Sequence, residues 1–87
     1  NMRLEGFYPD IVSSRLQTES SSVICLFVNT GNSTQTFTVD IKTKRSLVRI
    51  WDPLTGKVQP LTVKQENDHL KFTVSLAQWQ TAIITVE

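Results

Sequence analysis

The chain has 87 residues, nine basic and eight acidic side chains, one histidine, one cysteine and a formal net charge of +1. A chain of this length makes one domain that buries roughly 60% of the surface its unfolded form exposes, so a deep interior pocket is not expected. The near-zero charge offers no field for nucleic acid or an anionic membrane surface, and no apolar run approaches the ~20 residues that cross a bilayer.

Residues 1–9 mix Leu4, Phe7 and Tyr8 with polar side chains and end at Pro9. Residues 10–19 hold Ile11, Val12 and Leu16 among polar neighbours, the pattern of a weak strand. Residues 1–20 therefore read either as the first strands or as a linker. Glu19-Ser20-Ser21-Ser22 predicts a polar turn.

Val23-Ile24-Cys25-Leu26-Phe27-Val28 is a continuous apolar run, short and β-branched enough to be a strand. Apolar on both faces, it should lie at the centre of a sheet with both faces covered. An isolated two-layer sandwich covers only one, which implies that something further packs on the other. Cys25, the lone cysteine, has no disulfide partner and no base nearby, and reads as a small buried hydrophobe.

Asn29 to Ser33 is a dense turn cluster, and Asn32-Ser33-Thr34 has the form of an N-glycosylation acceptor, meaningful only in a eukaryotic secretory pathway. Phe37, Val39 and Ile41 then alternate with polar residues in a half-buried strand. The runs 23–28 and 36–42 predict an antiparallel hairpin with a longer loop. Lys42, Lys44 and Arg45 form a solvated basic turn.

Leu47 to Trp51 is the next strand, and it runs into Trp51-Asp52-Pro53-Leu54-Thr55-Gly56. Pro53 presets φ inside this turn, Asp52 can cap it, Thr55 continues it and Gly56 permits positive φ at its exit. Leu61 and Val63 share a face of a following strand, begun at an edge or bulge by Pro60. Glu66-Asn67-Asp68-His69 is a polar hairpin connection. Leu70, Phe72, Val74 and Leu76 mark another half-buried strand, residues 77–80 a corner, and Thr81 to Val86 a last β-branched strand. The expectation is an all-β domain over residues 1–87: an antiparallel, immunoglobulin-like β-sandwich of about seven or eight strands.

Chemistry is sparse. One histidine and one cysteine on different elements do not make a metal centre. His69 falls in a polar turn, where a solvated ring is expected, and no Ser-His-Asp arrangement forms around it. The acidic residues are scattered. Asp52 is explained by its turn and Asp40 belongs to the polar face of its strand, so no carboxylate pair is expected to hydrolyse glycosides. Gly6, Gly31 and Gly56 are too far apart for a phosphate loop. No catalytic residue and no cofactor are implied. The candidates for ligand binding are three aromatics, Tyr8, Trp51 and Trp79, which can act as platforms for sugar faces. The commoner use of such residues is to plug the ends of a sandwich core.

From Val23 to Val86 the chain resembles the small C-terminal β-sandwich of large bacterial glycoside hydrolases, of the α-L-rhamnosidase type and relatives of the β-galactosidase clan. The similar features are the strand ending Phe27-Val28-Asn29, the strand Thr36 to Ile41, the Trp51-Asp52-Pro53-Leu54-Thr55-Gly56 turn, the strand Leu70 to Leu76 and the closing Gln80 to Val86. In that family the catalytic carboxylates lie on a separate barrel. The resemblance therefore implies a non-catalytic accessory domain whose partner is the catalytic domain of the same parent chain, and a periplasmic or secreted location. It would also explain the two-faced strand 23–28, and it gives Trp51, Asp52, Pro53, Thr55 and Gly56 a structural role. The alternatives are a carbohydrate-binding module using Tyr8, Trp51 or Trp79, and a protein-interaction or adhesion sandwich.

Overall fold

The structure, a computed structural model, describes residues 2–20 and 22–87; Ser21, within the turn predicted at 19–22, lies outside them. Among the described residues there is no helix. The strands are β1 (Met2–Glu5), β2 (Ile11–Gln17), β3 (Val23–Asn29), β4 (Gln35–Lys42), β5 (Val48–Trp51), β6 (Val58–Pro60), β7 (Lys64–Glu66), β8 (His69–Leu76) and β9 (Thr81–Val86). They form two antiparallel sheets, a four-stranded one in the order β1-β4-β8-β7 and a five-stranded one in the order β2-β3-β9-β5-β6. The described residues thus form an all-β sandwich of nine strands, one or two more than expected. The weakly patterned first twenty residues account for β1 and β2, which lie at one edge of each sheet.

The alternation read from the sequence builds the core. Cys25 and Phe27 of β3 and Ala82, Ile84 and Val86 of β9 face Phe37, Val39 and Ile41 of β4 and Leu70, Phe72, Val74 and Leu76 of β8. All are buried, and the rings of Phe27 and Phe37 meet across the interior at 5.5 Å between centroids. Each large side chain withdrawn from water in this way contributes about 1.5–3 kcal/mol, which is why the alternating runs dictate the strands more firmly than any turn does.

Two expected connections are corrected. Segments 23–28 and 36–42 do not form a hairpin: β3 pairs with β2 and β9, and β4 with β1 and β8, in the opposite sheet. Both edges of β3 are occupied, and placing the two runs in different sheets lets Phe27 and Phe37 pack face to face instead of side by side. The strand expected around Leu61 and Val63 is also displaced. Pro60 ends β6 opposite Arg49 on the sheet's edge strand, where its missing N–H is tolerated, and Leu61 N–H adds one last bond to Val48 O (2.9 Å). Residues 61–63 then cross between the sheets, with Leu61 and Val63 half-buried against the core. The hairpin at 66–69 forms as expected. Asn67 and Asp68 both take positive φ (48° and 66°), the requirement of a two-residue turn that matches strand twist.

Asp40 also departs from its expected setting. It projects from the polar face of β4 but is only 4% exposed, because cross-strand neighbours from β1 and β8 fold over it.

Candidate functional site

The Trp51–Gly56 segment closes the β5–β6 hairpin. Asp52 N–H donates to Lys57 O (2.9 Å) and Gly56 N–H to Asp52 O (2.8 Å). Leu54 N–H donates to Asp52 Oδ1 (2.9 Å) and Lys57 N–H to Thr55 Oγ1 (3.3 Å). Gly56 has φ +74°, the conformation its lack of a Cβ makes inexpensive. The Leu54 N–H, then the Thr55 hydroxyl and N–H, and the Lys57 charge hold the Asp52 carboxyl below the usual carboxylate range. Trp51 ends β5 on the outer face of the sheet, paired with Ile83 and Val58. Its indole N–H donates to Thr85 Oγ1 (3.2 Å), which fixes the ring over β9.

The β8–β9 corner is held by Asn29, which the sequence presents only as the start of a turn cluster. Its side chain is fully buried. Nδ2 donates to Ser33 O (2.8 Å) and Leu76 O (2.9 Å), and Oδ1 accepts from Gly31 N–H (2.9 Å). Its backbone carbonyl accepts from Trp79 N–H (2.7 Å), and its N–H donates to Gln80 O (3.2 Å). Gln80 Oε1 in turn accepts from Ala77 N–H (2.9 Å). Within this frame Trp79 takes φ +60°, a left-handed conformation that a bulky side chain rarely adopts. Its side chain is 65% exposed.

These two elements bring Trp51 and Trp79 to one cleft of about 430 Å³ between the β5–β6 turn and the β8–β9 corner. Asp52, Lys57, Gln59 and Gln80 supply polar groups around it. Leu76 and Ala82, at the end of the core, lie beneath. Neither tryptophan belongs to the core. Tyr8, the third aromatic candidate, is placed elsewhere. It packs on Phe37 (5.8 Å between centroids) and against Gly6, half-buried, and does not line the cleft.

A second cluster forms on the four-stranded sheet. His69 Nδ1 lies 2.8 Å from Asp40 Oδ1, and Arg3 donates to Asp40 Oδ2 at 3.4 Å. The His69 hydrogen bond, followed by the positive groups, keeps the Asp40 carboxyl below its ordinary range against the opposing cost of burial. Met2 and Lys42 complete a shallow hollow of about 220 Å³. Among the described residues no hydroxyl or thiol lines it. Cys25 is fully buried, and desolvation pushes its thiol up to about 11. Among the described residues no three His, Cys, Asp or Glu side chains gather to hold a metal ion.

The outer face of the five-stranded sheet is apolar across several strands. Val12 (β2) pairs with Val28 (β3), Leu16 (β2) with Ile24 (β3), and Leu26 (β3) with Ile83 (β9). Val12, Leu16 and Leu26 are exposed, Leu16 at 62%. The two-sided apolar character of residues 23–28 is therefore resolved into one face in the core and one on this surface. No protein family and no curated protein matches the chain.

Proposed function

We propose that the chain is a non-catalytic accessory β-sandwich of a larger carbohydrate-active enzyme. In this reading it packs through the outer face of its five-stranded sheet on a catalytic unit of glycoside-hydrolase type. The observation that carries the docking role is the contiguous outer face of Val12, Leu16, Ile24, Leu26, Val28 and Ile83. A water-facing sheet surface normally alternates to polar residues, and exposed apolar patches of this kind mark interaction surfaces. The sugar-enzyme part of the reading is supported by the resemblance of residues 23–86, above all by the Trp51–Gly56 turn. An immunoglobulin-like topology is supported by strand order. β1-β4-β8-β7 parallels the A-B-E-D sheet and β9-β5-β6 the F-C-C′ sequence, with β3 standing where strand G would pair.

The test uses the purified domain. It turns over no aryl glycoside, it binds a hydrophobic dye or self-associates, and the double variant Leu16→Lys, Leu26→Lys loses both behaviours at unchanged thermal midpoint. Turnover of any aryl glycoside overturns the non-catalytic reading. A wild-type domain that is monomeric and dye-silent overturns the docking face.

A further inference from the structure

We propose that the cleft between Trp51 and Trp79 binds a neutral saccharide, at a site that adjoins the proposed docking face at Ile83. The argument begins with Trp79. A bulky residue at φ +60° is strained relative to glycine or asparagine at the same place. That strain is not offset by burial, since the side chain remains 65% exposed. The corner is held by backbone and by Asn29 and Gln80, none of which needs an indole at position 79. Folding alone would favour a smaller residue, so the indole serves something outside the fold.

Its surroundings indicate what. Trp51, its ring held over β9 through its N–H to Thr85, is among the residues that line the cleft of about 430 Å³ beside Trp79, a volume within the range of small-molecule sites. An indole face carries negative electrostatic potential, suited to the C–H face of a pyranose ring. Hydroxyls at the ring's rim need convergent donors and acceptors. Asp52, Lys57, Gln59 and Gln80 surround the cleft. Asp52 is held ionised as an acceptor, and Gln80 uses Oε1 internally while its amide nitrogen remains a donor. One carboxylate and one ammonium cancel, which favours an uncharged ligand over an anion. The mixture of indoles with amides and charges suits a polyhydroxylated ring better than the aliphatic side chains of a docked protein. The cleft is open and short, so it takes a short saccharide or a chain end.

The chain has only two tryptophans, so the two indole N–H signals in an ¹H–¹⁵N spectrum report the site directly. Titration with methyl pyranosides and soluble oligosaccharides to tens of millimolar should shift both signals saturably for at least one sugar. Trp79→Asn, whose new side chain tolerates positive φ, should fold with equal or higher thermal stability while affinity falls at least about tenfold, or 1.4 kcal/mol. Trp51→Ala should also lose binding. Leu16→Lys with Leu26→Lys should bind sugar as the wild type does, which separates this site from the docking face. The proposal is overturned if no sugar in the panel moves either indole signal, if Trp79→Asn binds undiminished, or if a hydrophobic dye but no sugar shifts both signals.

Discussion

Replacing Asn29 with alanine should be among the most damaging single changes in this domain, although the residue lies at the end of a strand beside a loop. The side chain is fully buried and makes three hydrogen bonds of 2.8–2.9 Å, two to carbonyls and one from Gly31 N–H. Each contributes about 1 kcal/mol net, and a buried partner left unpaired costs more, which puts the loss at roughly 3–4 kcal/mol. A domain of this size has a total stability of about 5–10 kcal/mol. The thermal midpoint should therefore fall by about 15–25 °C. Urea unfolding followed by tryptophan fluorescence would show a lower midpoint with an unchanged slope. Asn29→Asp keeps the acceptor for Gly31 but aims a carboxylate at the carbonyls of Ser33 and Leu76, and should cost at least as much at neutral pH. A loss below about 1 kcal/mol for Asn29→Ala would mean that water replaces the three bonds, and would refute the view that this residue ties the sheets together.

Three further outcomes are expected. The Asp40 carboxyl is held below its ordinary range chiefly by His69, so its stabilising effect is complete above the ordinary carboxylate pKa and is lost as pH falls through the lower folded value. The drop in thermal midpoint from neutral to acid pH should be smaller in Asp40→Asn than in the wild type. Cys25, buried and pushed up to about 11, should be inert to an aromatic disulfide reagent in the native state and react fully in denaturant. Gly56→Ala should cost about 1–2 kcal/mol through its φ of +74° alone, because a Cβ there meets nothing within 4 Å, and Gly56→Asn should cost less, both read from unfolding midpoints.

The strands were legible in the sequence where burial imposes a period of two, at 36–42, 70–76 and 81–86. Partners were less so. Nothing local distinguishes a hairpin from a crossover between sheets, so the runs at 23–28 and 36–42 read as neighbours although each pairs elsewhere. Ile11 to Gln17 reads weakly because β2 is an edge strand whose side chains, past Ile11, are exposed. The buried settings of Asn29 and Asp40 depend on residues as distant as Leu76 and His69. The meeting of Trp51 and Trp79 follows from β5 pairing with β9, a long-range choice that composition does not announce. Turn chemistry was readable at Asn67-Asp68 and Gly56, where the backbone needs positive φ.

The place of β9 bears on how the molecule comes into being. It is the middle strand of its sheet, yet it is the last strand along these 87 residues, and it meets β3 across about sixty residues of sequence. During synthesis β3 and β5 emerge with one hydrogen-bonding edge and much of their inner face waiting for a segment not yet made. The nascent chain can form the β2–β3, β5–β6 and β7–β8 hairpins early, but the sheet closes only when residues 81–86 leave the ribosome. Until then the apolar run at 23–28 is an unpaired, adhesive edge, and the pairing of residues 81–86 with it is what removes that edge.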